Sequence, residues 1–191
     1  MLHLLVGESV LDVGCGYGRW CHLIQTNSWE AGLATPPAVD GFDAFAPNVE
    51  LCRQRGCYRN VWQQVLPSPL EGRWDTVLAV EILEHLPQES VVETLELLEA
   101  VAGRRIVVTM PKNAMVGQRG GAEQIGGFNE YEAHKSSLPI SYFRERGYTV
   151  RGAGLAQKLL ERMRLTATLT SVTFRVPRLA ATIVAYKDVR S

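Results

Sequence analysis

The sequence lacks several features that would place it in a special class of protein. No run approaches the roughly 20 apolar residues of a membrane span. The start, MLHLLVGESVLDVG, has neither a basic segment nor a small-residue cleavage site, so we expect no signal peptide, a cytoplasmic location and no membrane partner. The cysteines show neither CxxC spacing nor the density of a disulfide framework, which favours reduced thiols and predicts no metal site. They are Cys15, Cys21, Cys52 and Cys57.

Charge is balanced in total but not along the chain. The sequence has 20 basic and 20 acidic side chains. Residues 1–100 carry 14 acidic and 5 basic side chains, whereas residues 151–191 carry 2 acidic and 8 basic ones. A basic C-terminal third could bind RNA or an acidic protein, or the two regions could attract each other within one domain. Because no basic run is interleaved with aromatic residues, the sequence disfavours nucleic acid as a partner.

Short apolar runs alternate with helical patterns along the 191 residues, which have the length of a single domain. This alternation predicts an α/β fold, a parallel sheet with helices on both faces. The predicted strands are 9–13, 38–43, 60–64, 75–80, 105–110, 148–155 and 181–189, and the predicted helices are 17–28, 46–56, 91–103, and one that Ser136 or Ser137 caps and that runs to Gly147. Residues 112–135, with five glycines, predict a flexible loop, and 156–180 is predicted to be rich in helix.

The stretch VLDVGCGYG is the most informative part of the sequence. Gly14, Gly16 and Gly18 stand between the first strand and the first helix, where bare backbone lets a ligand approach closely. The dinucleotide-binding pattern G-x-G-x-x-G requires a third glycine where this chain has Arg19. Asp12, at the end of the strand, would attract an ammonium group and repel a pyrophosphate. The stretch therefore favours a ligand that is cationic at one end and lacks phosphates.

Asp43 ends the second predicted strand, 31 residues after Asp12. In a parallel sheet of this kind, an acid at that position faces the ligand crevice and accepts both hydroxyl groups of a ribose. Asp43 could instead cap the helix that begins close behind it. Its spacing and its place on the strand favour the ribose.

Three stretches, VLDVGCGYGRW, VDGFDAFAPNVELCRQRG and RWDTVLAVEILEHLP, resemble the first, second and fourth motifs of the class I S-adenosylmethionine-dependent methyltransferases. The similarity is greatest to members that act on small molecules, whose fourth strand often ends in an EHL-like segment. RRIVVTMPKN and FNEYEAHKSS resemble later segments of the same group, so that the resemblance spans about residues 7–155. It implies a Rossmann-like sheet of seven mostly parallel strands, the last of them antiparallel.

The resemblance also implies S-adenosylmethionine as the cofactor and S-adenosylhomocysteine as the product. The positions that match the family's cofactor contacts are Asp12, Gly14, Cys15 and Gly16 around the methionine part, Gly18 in the turn, Asp43 at the ribose, Ala44 beside the adenine, and Glu81 and Ile82 near the sulfonium and the acceptor. One position departs from the pattern. Many members carry an aspartate after the third strand that contacts the adenine, whereas this chain has VWQQVL, where Gln63 or Gln64 could supply a carbonyl oxygen. Few residues precede the first strand, where many relatives have a helical lid. Either another segment covers the site, with residues 112–135 as the candidate, or the chain is a short version of the family.

A sulfonium methyl group is already activated, so the main task of such an enzyme is to align the acceptor and exclude water. A hydroxyl acceptor would also need a base, and imidazole suits this work. The candidates are His85, which Glu84 could orient, and His134 in the late segment. Each histidine could equally have only a structural role.

The sequence thus predicts a methyltransferase that acts on a hydroxyl or amine of a small molecule, with the acceptor and the oligomeric state left open. An RNA or protein methyltransferase that uses the basic C-terminal third is an alternative, as is a relative that binds the cofactor without catalysis. No NPPY-like element follows the fourth strand, which disfavours methylation of nucleobase or glutamine amino groups.

Overall fold

The computed structural model describes residues 1–112, 122–155 and 175–189. In chain order the strands are β1 (Ser9–Val13), β2 (Ala38–Asp43), β3 (Asn60–Gln63), β4 (Trp74–Val80), β5 (Ala102–Pro111), β6 (Ala122–Gln124), β7 (Gly127–Asn129), β8 (Thr149–Leu155) and β9 (Ala180–Asp188). The α-helices are α1 (Arg19–Asn27), α2 (Ala46–Arg55), α3 (Val91–Val101) and α4 (Ile140–Glu145). Within these residues, no helix has the length and apolar character that crossing a bilayer requires.

Seven strands form one sheet in the order β3-β2-β1-β4-β5-β9-β8, while β6 and β7 form a separate hairpin. Strands β1 to β5 pair in parallel, and β9 runs antiparallel to both of its neighbours. The predicted Rossmann-like α/β fold with an antiparallel last strand is confirmed. Because the strand order reverses between β1 and β4, a crevice opens at the carboxyl ends of these strands, where open α/β sheets bind their ligands.

Two hydrophobic cores lie on opposite faces of the sheet. Successive strand residues point to opposite faces, so that Leu11 and Val77 join one core while Val10 and Leu78 join the other. The first core receives the buried side chains of α3 and α4, and the second receives those of α1. The two cores hold the sheet as a rigid base for the residues at its carboxyl edge.

The predicted end of α3 at Gly103 is wrong. The helix ends at Val101, and β5 begins at once with Ala102, which pairs with Trp74 of β4. A Cβ at Gly103 would lie 3.1 Å from the carbonyl oxygen of Trp74. This glycine therefore permits a close approach of two strands, which its sequence context does not distinguish from a helix end.

Residues 112–135 are not wholly the unstructured loop that the sequence predicts. Strands β6 and β7 and the 3-10 turn Glu130–Glu132 occupy the second half, and Gly126 and Gly127 belong to the hairpin. These two glycines build a turn, which the loop interpretation missed. The rest of that prediction, at 113–121, and most of the predicted helix-rich segment, at 156–174, lie outside the described residues.

The predicted cap of α4 by Ser136 or Ser137 is also wrong. The helix begins at Ile140 behind Pro139 and has no side-chain cap. The buried hydroxyl of Ser136 instead donates a 2.6 Å hydrogen bond to the carbonyl of Leu83. Ser136 thus ties a late segment of the chain to the turn after β4, a contact between residues 53 positions apart.

Candidate active site

A cavity of about 450 Å³ opens where β1, β2 and β4 end. Its volume falls in the range of about 300–1,000 Å³ found for small-molecule sites. Of the residues predicted to form a site, those that line it are Gly14, Gly16, Asp43, Ala44, Gln64, Glu81, Ile82 and His85. Those that do not line it are Asp12, Cys15, Gly18, Gln63, Glu84 and His134.

The glycine turn after β1 forms one wall of the cavity. Gly14 and Gly16 have φ angles of 64° and 52°, in the left-handed region that strains most other residues. A Cβ at Gly14 would lie 2.0 Å from Cδ1 of Ile82, so the Ile82 side chain packs on bare backbone. At Gly16 the Cβ position has no other atom within 4 Å, apart from the chain neighbours. The turn therefore leaves open backbone for a ligand at Gly16.

Asp43 joins the glycine turn to the start of α2. One carboxylate oxygen, Oδ2, accepts a 2.8 Å hydrogen bond from the Gly16 amide. The other, Oδ1, accepts bonds from the Phe45 amide at 2.9 Å and the Asn48 side chain at 3.2 Å. Burial raises the pKa of Asp43, and these three donors oppose that shift. The bond to Phe45 agrees with the helix-cap alternative, while the position of Asp43 on the cavity wall is the one that the ribose interpretation requires.

Asp12 lies behind this wall, with 1% of its surface exposed. Its Oδ2 accepts a 2.6 Å hydrogen bond from the Tyr58 hydroxyl, and its buried Oδ1 has no hydrogen-bond partner. Burial raises the pKa of Asp12 to about 7, against the effect of the Tyr58 bond, and the neighbouring Asp43 raises it further. Asp12 is thus enclosed within the protein, and its carboxylate does not line the cavity.

Thiols fill the space beneath the glycine turn. The Sγ atoms of Cys15 and Cys52 lie 3.9 Å apart, and the Cys52 thiol donates to the Gly16 carbonyl at 3.2 Å. A Cβ at Gly18 would lie 3.2 Å from the same Cys52 sulfur. Cys15 and Gly18 therefore shape the turn without lining the cavity, and all four cysteines are free thiols.

The structure distinguishes between the two glutamines that could replace the missing adenine-contact acid, because only one of them lines the cavity. Gln64 lines the cavity, whereas Gln63 does not. The carbonyl oxygen of Gln64 accepts a 2.6 Å hydrogen bond from the Trp62 indole, and its amide donates to Ser68 and Pro69, at 2.9 Å each. Gln64 is thus held in place at the cavity, which neither residue's sequence context reveals.

Glu81 leaves β4 with a φ of 55°, the one positive φ at a residue other than glycine among the described residues. Thr109 holds it there. The Glu81 amide donates to the Thr109 carbonyl at 3.0 Å, and the Thr109 hydroxyl donates to Glu81 Oε1 at 2.9 Å. Burial raises the pKa of Glu81. Backbone conformations of this kind tend to occur at functional sites, where neighbouring contacts enforce them.

Glu84 and His85 follow in the 3-10 turn Leu83–His85. Glu84 is 1% exposed, and its buried Oε2 has no hydrogen-bond partner. Burial and the nearby Glu81 raise the pKa of Glu84 to about 8, while burial lowers the pKa of His85. His85 Nδ1 lies 3.3 Å from the Ala133 carbonyl. That carbonyl, and not the Glu84 carboxylate, is the hydrogen-bond partner of His85 Nδ1.

His134 lies beside His85 in the structure, although 49 positions separate the two in the sequence. The amides of Lys135 and Ser136 both donate to the Glu84 carbonyl, at 2.6 and 3.0 Å. These bonds bring the ring of His134 to 5.1 Å from that of His85, measured between centroids. The two predicted histidines are therefore neighbours. Together with Glu84, they are a group whose ligand atoms could hold a metal ion, although the sequence predicts none.

Several cavity residues escape the sequence analysis. Four polar ones lie at the end of the β6–β7 hairpin or after it, namely Asn129, Tyr131, Glu132 and Lys135. The hairpin also reaches the glycine side, since the Ile125 amide donates to the Tyr17 hydroxyl at 3.3 Å. The polar segment FNEYEAHKSS is the only sequence signal for them, and it does not reveal which side chains face the cavity. The predicted cover thus contributes lining residues from its described half.

The uneven charge along the chain is partly explained by pairing within the fold. Lys187 of β9 lies 2.9 Å from Glu99 of α3, and the Tyr148 hydroxyl donates to the same carboxylate at 2.8 Å. A basic side chain of the last segment thus meets an acid of the first hundred residues. This contact agrees with attraction within the domain.

Comparison with known proteins finds methyltransferases both among the family models and among similar sequences. Residues 2–151 match the methyltransferase domain family. The ubiquinone biosynthesis O-methyltransferase of Acinetobacter baumannii (strain AYE) is 28% identical over 170 residues, which cover 81% of this chain and 66% of that protein. The protein of the same name from Bordetella bronchiseptica is 31% identical over 117 residues, which cover 57% of this chain and 45% of that protein. The chain therefore spans less than two thirds of the length of these relatives.

Solved structures with the same fold include two methyltransferases. Magnesium protoporphyrin IX methyltransferase from Synechocystis PCC 6803, with bound S-adenosylhomocysteine, matches with a TM-score of 0.56 and 20% identity over 97% of this chain and 75% of that one. An S-adenosylmethionine-dependent methyltransferase from Archaeoglobus fulgidus matches with a TM-score of 0.59 and 18% identity over 95% of this chain and 86% of that one. At these identities the likeness establishes the fold.

Proposed function

The chain belongs to the methyltransferase domain family, and on that premise we propose that it transfers the methyl group of S-adenosylmethionine to a hydroxyl group of a small molecule. The observation that carries the proposal is the position of Asp43, which bonds to the Gly16 amide and lines the cavity at the end of β2. A carboxylate and an open glycine backbone in this arrangement suit a nucleoside that carries an amino acid.

The hydrogen bonds of Asp43 sharpen its proposed role. A carboxylate offers about four acceptor sites. The donors from Gly16, Phe45 and Asn48 use three of them, two on Oδ1 and one on Oδ2. The remaining site, on Oδ2, is the one we assign to a ribose hydroxyl.

The rest of the glycine side fits the same cofactor. Ala44 and Gln64 line the cavity next to Asp43, where the adenine would lie. Val65 and Leu66 add apolar surface for its ring. Asp12 is buried and does not line the cavity, so we assign it no direct contact with the cofactor.

The opposite side of the cavity suits the acceptor. When bound, the cofactor supplies a methyl group already activated by its sulfonium, so the protein has only to align the acceptor and exclude water. Leu86 and Pro87 offer apolar contacts there, and Tyr131 lines the cavity from the segment after the hairpin. The names of the curated relatives favour oxygen as the methylated atom.

A hydroxyl must lose its proton when it is methylated. We assign the handling of this proton to Glu84, His85 and His134. Only His85 lines the cavity and can touch the acceptor. His134 and Glu84 lie behind it, within 4.8 Å through their ligand atoms.

Calorimetric titration with S-adenosylhomocysteine tests the cofactor side. The wild-type protein should bind one equivalent. Asp43→Asn should weaken binding by about 10-fold or more, because a hydrogen bond to a charged group contributes about 1.5–3 kcal/mol. Asp40→Asn is the matched control, since Asp40 is a buried carboxylate on the same strand that bonds instead to Arg59, Asn60 and Trp74. No binding by the wild type, or an equal loss in both variants, would contradict the proposal.

Release of S-adenosylhomocysteine with a panel of small phenols and catechols tests the reaction. His85→Ala and His134→Ala should each lower turnover while the affinity for S-adenosylhomocysteine stays the same. A protein that binds this compound and turns over no acceptor would be a non-catalytic relative. Turnover only with RNA or protein would favour the macromolecular alternative.

We also propose that the protein works in a reducing compartment such as the cytoplasm. All four cysteines are free thiols, including the Cys15 and Cys52 sulfurs that lie 3.9 Å apart. Neighbouring thiols tend to stay reduced in the cytosol and to oxidise outside it.

A further inference from the structure

We propose that Cys15 and Cys52 form a reversible oxidation site beneath the glycine turn, and that the disulfide between them weakens cofactor binding. Their Sγ atoms lie 3.9 Å apart. A disulfide bond is about 2.05 Å long, so the two sulfurs must approach by about 2 Å, which rotation of the side chains can provide. The effect on the cofactor rests on the proposed function, whereas formation of the disulfide does not.

The pair is linked to the cavity wall through Gly16. Cys15 lies between Gly14 and Gly16 in the turn. The Cys52 thiol of α2 donates a 3.2 Å hydrogen bond to the Gly16 carbonyl, and the Gly16 amide donates to Asp43. A disulfide has no S–H group, so Gly16 loses its bond to Cys52 while Cys15 is drawn toward α2. Oxidation therefore shifts the backbone on which the proposed cofactor contacts depend.

A third thiol connects this buried pair to the surface. Of the four cysteines, only Cys57 is half-buried, and the other three are buried. Cys57 lines an open groove of about 500 Å³ on the other side of the turn from the cavity. A Cβ at Gly18 would lie 3.2 Å from the Cys52 sulfur and 3.8 Å from the Cys57 sulfur, so the two sulfurs lie on either side of one small space. An oxidising group that reacts at Cys57 is therefore next to Cys52.

The groove beside Cys57 is positively charged. Arg19, His22 and Arg55 line it and are exposed, and none of its lining residues is acidic. Positive charges in a groove raise the local concentration of anions. Glutathione disulfide suits this groove, because each of its halves carries two carboxylates and one ammonium group. The charges thus favour an anionic disulfide as the oxidant.

Thiol–disulfide exchange converts this oxidant into the buried disulfide in three steps. The Cys57 thiolate attacks glutathione disulfide, a Cys57–glutathione bond forms and one glutathione leaves. Cys52 attacks the Cys57 sulfur, which forms a Cys52–Cys57 bond and releases the second glutathione. Cys15 then attacks Cys52, so that the Cys15–Cys52 disulfide forms and Cys57 is a thiol again. Two electrons and two protons pass from two protein thiols to one glutathione disulfide, which becomes two molecules of glutathione.

Reduced glutathione reverses the reaction, because each exchange step is an equilibrium. Glutathione keeps cytosolic thiols reduced, and disulfides that form there are usually transient. The protein therefore binds its cofactor under reducing conditions and loses it when glutathione disulfide accumulates.

Peptide mapping of the whole chain tests the site itself. After incubation with glutathione disulfide, mass spectrometry without reduction should find a Cys15–Cys52 link, which dithiothreitol removes. Cys57→Ser should slow its formation by about 10-fold or more, because oxidation follows exposure and the remaining thiols are buried. High salt should slow it in the wild type, since salt screens the charges of the groove. No link, a Cys21–Cys57 link in its place, or an unchanged rate in Cys57→Ser would overturn the proposal.

Calorimetric titration with S-adenosylhomocysteine, before and after oxidation, tests the effect on the cofactor. Oxidation should weaken binding by the wild type about 10-fold or more, because the turn loses its preorganised geometry, and dithiothreitol should restore it. Cys52→Ser keeps a hydroxyl for Gly16 but cannot form the link, so oxidation should change its affinity by less than about twofold. Cys21→Ser is the matched control, since this buried thiol lies outside the pair and its variant should respond as the wild type does.

The outcomes separate the oxidation site from the proposed function. An equal loss of affinity in oxidised Cys52→Ser, or protection in Cys21→Ser, would overturn the role of the pair. A link that forms without any change in affinity would overturn the effect on the turn. A reduced wild type that forms the link but never binds S-adenosylhomocysteine would overturn the proposed function and leave the oxidation site standing.

Discussion

Two walls of the same cavity differ in how their polar atoms are satisfied. The glycine wall consists of Gly14, Gly16 and Asp43, and the protein's own donors occupy most of its acceptor sites. Asp43 alone accepts three hydrogen bonds. Its groups have their final geometry before any ligand arrives, which lowers the entropic cost of binding.

The histidine wall consists of Glu81 and His85, which line the cavity, together with Glu84 and His134 behind them. Its polar atoms are less well satisfied. Two of its buried atoms, Glu84 Oε2 and His134 Nδ1, have no partner, and Glu81 has a φ of 55°. A fold keeps such costly features where they serve chemistry. The comparison suggests that one wall binds a ligand and the other acts on one.

The largest effect should come from Gly14→Ala in the glycine wall. The new Cβ would lie 2.0 Å from Ile82 Cδ1 and would sit on a backbone with φ 64°. Overpacking of this kind costs about 1–3 kcal/mol, and the left-handed conformation a further 1–2 kcal/mol or so. We expect Tm to fall by roughly 5–15 °C and S-adenosylhomocysteine binding by about 100-fold or more, measured by thermal unfolding and calorimetry.

Gly16→Ala sharpens this prediction as a control. Its Cβ would meet no other protein atom within 4 Å, so only the backbone strain at φ 52° remains. Tm should fall by no more than about 4–8 °C, and the affinity for S-adenosylhomocysteine should still decrease because the methyl group occupies cavity space. Equal changes in Tm for the two variants would show that Ile82 does not restrain the turn.

Asp12, behind the glycine wall, differs from Asp43 because one of its carboxylate oxygens has no hydrogen-bond partner. Its contribution to the stability of the protein should depend on pH. Its pKa is raised to about 7 in the folded protein, because burial disfavours the carboxylate. The folded state therefore binds the proton more tightly than the unfolded state. The stability that this contributes is complete at acidic pH, below the unfolded pKa, and is lost as the pH rises through about 7.

Asp12→Asn should remove this dependence, since an amide does not titrate. The stability of the variant relative to the wild type should increase by about 2–3 kcal/mol between pH 5 and pH 8, or roughly 5–10 °C in Tm. In Tyr58→Phe the loss of stability should occur at higher pH than in the wild type, because the Tyr58 hydrogen bond lowers the pKa of Asp12. Parallel curves of Tm against pH for Asp12→Asn and the wild type would refute this account.

The smallest effect should come from Ser136→Ala, which loosens the histidine wall. The variant loses the 2.6 Å hydrogen bond to the Leu83 carbonyl, at a cost of about 1 kcal/mol, or roughly 2–4 °C in Tm. Ser137→Ala is the matched control, since Ser137 is half-buried one residue away, and it should change Tm by about 1 °C. A larger loss at Ser137 would favour a capping role for that residue.

The glycine wall could be predicted from sequence because its parts are close along neighbouring strands. Strands β1 and β2 pair in parallel, with Val13 opposite Phe42, so the residues that follow each strand must meet. The alternation of apolar runs and helical patterns predicted the sheet for the same reason. When adjacent strands pair in parallel, residues at the same place in each strand pattern lie close together in the fold.

The histidine wall could be predicted only as separate residues. His85 and His134 were each a candidate, but 49 positions separate them, and their meeting depends on amides of residues 135 and 136 that bond to the Glu84 carbonyl. Main-chain contacts of this kind leave no mark in side-chain patterns. The sequence also gives no sign of the hydrogen bond from the Thr109 hydroxyl to Glu81 or of the one from the Tyr58 hydroxyl to Asp12.

The backbone at Glu81 has a consequence for how such a chain could be improved. A φ of 55° is the conformation that glycine adopts without cost, whereas a glutamate there sacrifices about 1–2 kcal/mol of folding free energy. On backbone grounds alone, a glycine at this position would give a more robust protein without the carboxylate at the cavity. Position 81 thus combines a costly backbone conformation with a carboxylate at the cavity, and selection for heat resistance alone would favour the glycine that removes this carboxylate.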